Sequence, residues 1–148
     1  VVRNQGRLGM ELPNREIDIG TLRNIFRKYP GIDAVYLFGS LAIKKANRLS
    51  DIDLAIVPKD QTIKQKKLDI FTDLARAGYG KVDLVFMDTD DIVLKYEAIK
   101  NNNLIYQSPN FDRGEYFSRI IRDYFDFLPY LTEQRSALKQ RARENLVI

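Results

Sequence analysis

The sequence predicts an α/β protein of the α+β kind: a small mixed β-sheet flanked by helices, with a C-terminal amphipathic helical region. Three observations carry this prediction. Three apolar segments of strand length, "AVYLFG", "DIDLAIV" and "KVDLVFM", alternate with stretches of helical spacing. Two carboxylates, Asp51 and Asp53, stand in the second segment, which otherwise reads as a buried strand. Beyond residue 110 the strand signal stops and a wide apolar helical pattern takes over.

Taken in order, Asn14 to Pro30 carries Leu22, Ile25, Phe26 and Tyr29 at helical spacing, and Pro30-Gly31 ends that helix. Ala34 to Gly39 follows as a short buried strand, and Ser40 to about Ala46 as a short helix with Ser40 as N-cap. "DIDLAIV" is the second strand, stopped at Pro58. Residues 62–78 form a helix with Ile63, Ile70, Phe71 and Leu74 inward and Gly78 closing it. Lys81 to Met87 is the third strand. A helix is expected from about Thr89 to Lys100, then a short extended segment at "NLIYQS". Phe111 to Asn145 is a long amphipathic helical region that Pro129 should kink or split. The opening "VVRNQGRLG" has no apolar period and reads as a disordered or cloning-derived tail over residues 1–9, with the native start expected at Met10. The core is expected to span 10–110, with 111–148 as a helical extension that packs on it and meets a partner.

Composition narrows the chemistry. The 148 residues are 45% hydrophobic and 30% charged, enough apolar material for one compact core. No apolar run approaches the roughly 20 residues of a membrane helix. The chain has neither cysteine nor histidine. Disulfides, thiolate nucleophiles, histidine bases and histidine–zinc sites are therefore excluded, and the absence of cysteine fits a reducing cytoplasm. Catalysis must rest on carboxylates, lysines, arginines, hydroxyls and hard oxygen-bound cations. A net charge of +4 biases the protein mildly towards anionic partners.

Strand alternation projects Asp51 and Asp53 from one face, roughly 7 Å apart at Cα. Asp83, in "KVDLVF", is placed to join them. Gly39-Ser40 lies at the end of the first strand, whereas Asp51 begins the second, so a shared site requires those two strands to be antiparallel. Asp83 lies near the start of the third strand, which makes strands two and three parallel, joined by the helical crossover. Three converging carboxylates repel one another unless divalent cations neutralise them, and Mg²⁺ suits oxygen ligands while keeping places for phosphates. A lone Asp near a strand end commonly caps a turn, but Asp-x-Asp within a strand plus a third Asp favours a site. The Gly-Ser turn lets backbone N–H groups approach phosphate. Together these describe a nucleoside triphosphate site for phosphoryl or nucleotidyl transfer, with Asp51 and Asp53 bridging the ions and Asp83 as base or second-metal ligand.

Gly39-Ser40, ten residues, Asp51-Ile-Asp53 and then Asp83 resemble the signature of the DNA polymerase β-like nucleotidyltransferase superfamily. The short length and single helical extension resemble the minimal nucleotidyltransferases that act as antitoxins beside HEPN-domain toxins. This resemblance implies a mixed-sheet fold, ATP as donor, Mg²⁺ (two ions), and AMP transfer to a tyrosine hydroxyl of the toxin, silencing a ribonuclease. By matched position, Gly39 and Ser40 would hold the triphosphate, while Asp51, Asp53 and Asp83 would bind metal. One departure is Lys44, where glycine is usual. Lys44, Lys45 and Arg48 read first as solvated side chains and second as phosphate contacts.

Beyond residue 110, Tyr116, Ile120, Tyr124 and Phe127 form one stripe, and Phe117, Ile121, Phe125 and Leu128 an adjacent one. One stripe suffices for core packing, so the second implies a protein interface. Asp123 and Asp126 interrupt the arginines there, which argues against nucleic acid. Two other functions fit the same residues: nucleotidyl transfer to a small hydroxyl compound such as an aminoglycoside, and neutralisation of a partner by binding alone.

Overall fold

The structure is a computed structural model that describes residues 17–39 and 52–146. Helix α1 (Ile19–Arg27) leads into strand β1 (Ile32–Phe38), and strand β2 (Ile52–Pro58) follows. A 3₁₀ turn (Gln61–Lys66) runs into α2 (Lys67–Arg76), then β3 (Val82–Phe86), α3 (Ile92–Ile99), β4 (Leu104–Gln107) and the long α4 (Arg113–Leu146). The sheet order is β3-β2-β1-β4. Strand β1 is antiparallel to both β2 and β4, and β2 is parallel to β3, so the sheet is mixed. The topology inferred from the need to bring Gly39 to the aspartates is the observed one.

Local chemistry sets the boundaries. Asp18 caps α1, its carboxylate accepting from the Thr21 N–H at 3.3 Å and the Thr21 hydroxyl at 2.8 Å, so the helix begins later than the predicted Asn14. Asp91 and Asp112 accept from Leu94 N and Glu115 N, each at 3.1 Å, and start α3 and α4 the same way. The predicted single helix over 62–78 is two pieces. Asp60 caps a 3₁₀ turn through the Thr62 N–H at 2.9 Å, and regular α geometry begins only at Lys67. Helix α2 ends in a Schellman motif. Gly78 adopts φ 98°, its N–H donates to Ala75 O at 3.0 Å, and Tyr79 N donates to Leu74 O at 2.8 Å. The Tyr79 hydroxyl then accepts from Asp18 N at 2.9 Å, tying the end of α2 to the start of α1. The expected short helix at Ser40–Ala46 lies outside the described residues.

Alternation divides the strands between two cores. Val35, Leu37, Leu54, Ile56 and Leu84 meet α1 and α2 through Leu22, Phe26, Ile70 and Leu74 on one face. On the opposite face Ala34, Tyr36, Ala55, Val57 and Met87 pack with Ala98 and Ile99 of α3 and Ile120 of α4. Burying each of these larger side chains contributes roughly 1.5–3 kcal/mol before entropy is charged. Tyr29 links the outer layer: its hydroxyl donates to Asp73 at 2.5 Å, and Lys28 pairs with the same carboxylate at 3.1 Å. These contacts, the Tyr29 hydrogen bond first, hold the Asp73 carboxyl below its ordinary value.

Pro129 does not split α4, which is continuous from Arg113 to Leu146. Pro129 is exposed where α4 leaves the body, and its ring removes one ladder hydrogen bond without ending the helix. No described helix is long and apolar enough to cross a membrane.

Gly78→Ala should cost about 1–2 kcal/mol in urea unfolding, because alanine is strained at this left-handed position. Gly80→Ala, whose Cβ would meet nothing within 4 Å, is the matched control and should be close to neutral.

Candidate active site

Three strands deliver the site to one end of the sheet. Strand β1 ends at Phe38, and its antiparallel partner across β2 is Asp53. On the other side Asp53 aligns with Asp83 in the parallel pairing of β2 with β3. Adjacent strands lie about 4.8 Å apart, and aligned residues in a parallel pair project from the same face. Asp53 and Asp83 therefore stand side by side on the face covered further along by α3 and α4. Asp53 is half-buried and Asp83 exposed, so the pair faces the open rim of that layer.

Gly39 completes the described part. It follows β1 directly with φ 76°, a conformation that L side chains rarely adopt. A Cβ at this position would sit 2.1 Å from Asp53 Oδ2 and 3.0 Å from its Cγ. Glycine is thus required twice, by the turn and by the carboxylate pressed against it. The close approach leaves main chain, with no side chain in between, beside the Asp53 carboxylate.

Of the five residues marked in the sequence, the structure brings Gly39, Asp53 and Asp83 together. Ser40 and Asp51 lie outside the described residues, as do Lys44, Lys45 and Arg48. Among the described residues no group of three or more ligating side chains gathers. The donors that are placed are carboxylate oxygens in a chain without histidine or cysteine, and such a set fits a hard divalent cation such as Mg²⁺.

Two neighbours of the site were not singled out in the sequence. Tyr36, two residues before Phe38 on the same face, is fully buried, and its hydroxyl has no hydrogen-bond partner among the described residues. Burial pushes it up to about 12, and its ring stacks on Tyr116 with centroids 6.2 Å apart. Its alternation with Phe38 marked the face but not the missing partner. Arg113 reaches Asn102 O at 3.0 Å and Asn102 Oδ1 at 3.2 Å, with Asn102 itself at φ 52°. Because Leu37 N donates to Asn103 O at 2.9 Å, this anchor puts a guanidinium at the same sheet end as Asp53. No sequence pattern pointed to it, since the link runs between the loop before β4 and the first turn of α4.

The Gly39 turn and the strand-borne Asp53 and Asp83 meet at one end of a mixed sheet. The family model "Polymerase beta, Nucleotidyltransferase" matches residues 20–110, well over half of the chain. The chain belongs to the polymerase β nucleotidyltransferase family. It is similar in structure to a toxin–antitoxin complex crystallised with AMP-PNP, at 23% identity and TM-score 0.66, with 86% of this chain and 99% of that one covered. It is also similar to the MNT antitoxin complex with tri-AMPylated HEPN toxin from Shewanella oneidensis, at 21% identity and TM-score 0.60, covering 84% of this chain and 95% of that one. A third, the toxin–antitoxin pair MntA–HpeT with two aspartates changed to glutamate, matches at 21% identity and TM-score 0.65, covering 86% and 99%. At these identities the likeness is one of fold. No curated protein is similar enough in sequence to count as a relative.

Gly39→Ala should destabilise the protein by more than about 2 kcal/mol, the sum of backbone strain and the collision with Asp53. In an Asp53→Ala background the same change should cost about 1 kcal/mol less, because the colliding carboxylate is gone. Urea unfolding of the four proteins in this cycle measures the difference.

Proposed function

We propose that the chain is an antitoxin nucleotidyltransferase that moves AMP from ATP to a tyrosine hydroxyl of a HEPN-domain ribonuclease toxin and so silences it. The observation that carries the reading is the alignment of Asp53 with Asp83 beside the Gly39 turn. Family membership supplies the reaction class. The AMP-PNP complex and the tri-AMPylated toxin among the structural neighbours support ATP as donor and a toxin as acceptor.

In this reading the acceptor oxygen attacks the α-phosphorus of ATP, a tyrosine O–P bond forms, the bond to the β-phosphate breaks, and pyrophosphate leaves. Asp83, the more exposed carboxylate, takes the tyrosine proton. Asp53, held by the Gly39 contact, and Asp51 are read as the carboxylates that hold Mg²⁺, with Asp83 contributing to a second ion. When bound, the metal would neutralise the phosphate charge and the repulsion among the carboxylates. Gly39 and Ser40 offer backbone N–H groups to the triphosphate. The reaction belongs in the cytoplasm, where ATP is supplied. The core that performs it is read as residues 10–110.

The test is incubation with ATP, Mg²⁺ and the helical protein encoded beside this chain, followed by intact mass measurement. AMP-sized increments on that protein are expected. Asp53→Asn and Asp83→Asn should each lower the rate at least 100-fold, a loss of about 2.7 kcal/mol or more of transition-state stabilisation, while the complex still forms. Modification of a small hydroxyl compound in its place would contradict the toxin reading. Full protection by the Asp variants without modification would contradict catalysis and leave binding as the mechanism.

A further inference from the structure

The second half of α4 has nothing packed on it. Every residue of 132–145 is exposed, a stretch of about 21 Å at the helical rise. A helix of that length is marginal in water without tertiary contacts. Tyr124, Leu128, Leu131, Arg135, Leu138 and Ala142 follow the alternating four-three spacing of a coiled-coil seam, with one polar member. The inner part of this seam is engaged: Tyr124 stacks on Tyr96 of α3, with centroids 3.8 Å apart and planes 6° apart. The outer part is open, and Leu138 is 60% exposed. Pro129 falls outside the seam.

The charges along the helix are divided. At its root a 430 Å³ cavity between α3 and α4 is lined by Asp90, Asp91, Val93, Asp123 and Phe127, with Lys95 among them. Neither Asp90 nor Asp123 has an ion pair among the described residues. The projecting half carries Arg135, Lys139, Arg141 and Arg143 against Glu133 and Glu144. An acidic notch at the root and a basic arm at the tip complement each other, but one straight helix cannot fold its tip back to its own root.

We infer that the arm of α4 docks antiparallel on α4 of a second copy of this chain, with each basic tip seated at the other copy's acidic notch. A register centred on Glu133 satisfies the whole seam. It sets Tyr124 against Ala142, Leu128 against Leu138 and Leu131 against Arg135 of the second copy, the a-to-d layering of an antiparallel pair. In the same register Phe127 of one copy and Arg141 of the other flank the seam on the same side within one helical turn, a cation–π contact that brings the basic tip to the acidic notch. The interface is isologous, so it closes as a dimer with two-fold symmetry. Arg135, the one charged seam residue, disfavours the parallel alternative, in which two like charges would meet in the same layer.

Sedimentation equilibrium and cysteine cross-linking test this without reference to nucleotidyl transfer. The chain has no cysteine of its own, so introduced pairs report cleanly. Leu128→Cys mixed with Leu138→Cys should form an inter-chain disulfide, whereas Leu138→Cys alone should not, since two copies of residue 138 lie about 15 Å apart along the axis in this register. Arg141→Asp, which sets an acidic side chain at the acidic notch, should weaken the dimer at least fivefold. A protein that remains monomeric at every concentration overturns the proposal. So does a Leu138→Cys protein that cross-links to itself, or an arm that associates only with the neighbouring toxin.

Discussion

The site depends on one steric fact: the main chain of Gly39 and the carboxylate of Asp53 occupy adjacent space with no room for a side chain between them. Antiparallel pairing of Phe38 with Asp53 brings the end of β1 to the start of β2. Parallel pairing of Asp53 with Asp83 then sets the second carboxylate alongside. Strand β2 is the element common to both pairings, so a one-residue slip in either would turn an aspartate to the opposite face. The buried residues that follow on β2, Leu54, Ala55 and Ile56, fix that register by filling both cores. Stability of the sheet and alignment of the site are therefore the same constraint.

Much of this was legible because the carboxylates break a rule. Asp53 is costly within an apolar strand, so its presence signals a charge that another group must balance. The requirement that Gly39-Ser40, Asp51 and Asp83 share one site was enough to derive strand directions, since each residue's position within its strand was readable from the apolar run. The 3₁₀ turn at Gln61–Lys66 was not legible. Its residues continue the helical spacing through Ile63, and only the Asp60 cap geometry separates them from α2. Arg113 and Tyr36 were hidden for a different reason. Their roles come from contacts with Asn102 and Tyr116, and one sequence carries no trace of such pairings.

Helix α4 shows how one pattern can serve two purposes. Its two apolar stripes are too wide for one small sheet. The structure uses Tyr116, Phe117, Ile120 and Ile121 against the core and leaves Phe125, 57% exposed, and Leu138 to solvent. The heptad spacing becomes apparent only after the buried stripe is subtracted, which needs the structure. A dimer built on α4 would leave the rim bearing Asp53 and Asp83 open, because the acidic notch lies at the opposite end of β3 from Asp83.

The central claim is that nucleotide and divalent cation gather at Gly39, Asp53 and Asp83 and not at the more acidic notch of Asp90, Asp91 and Asp123. Paramagnetic broadening of amide resonances by Mn²⁺ with AMP-PNP tests it most directly. Signals of Gly39, Asp53 and Asp83 should vanish first at substoichiometric Mn²⁺, and Asp53→Asn should abolish the effect. Broadening centred on Asp90, Asp91 and Asp123 would contradict the account.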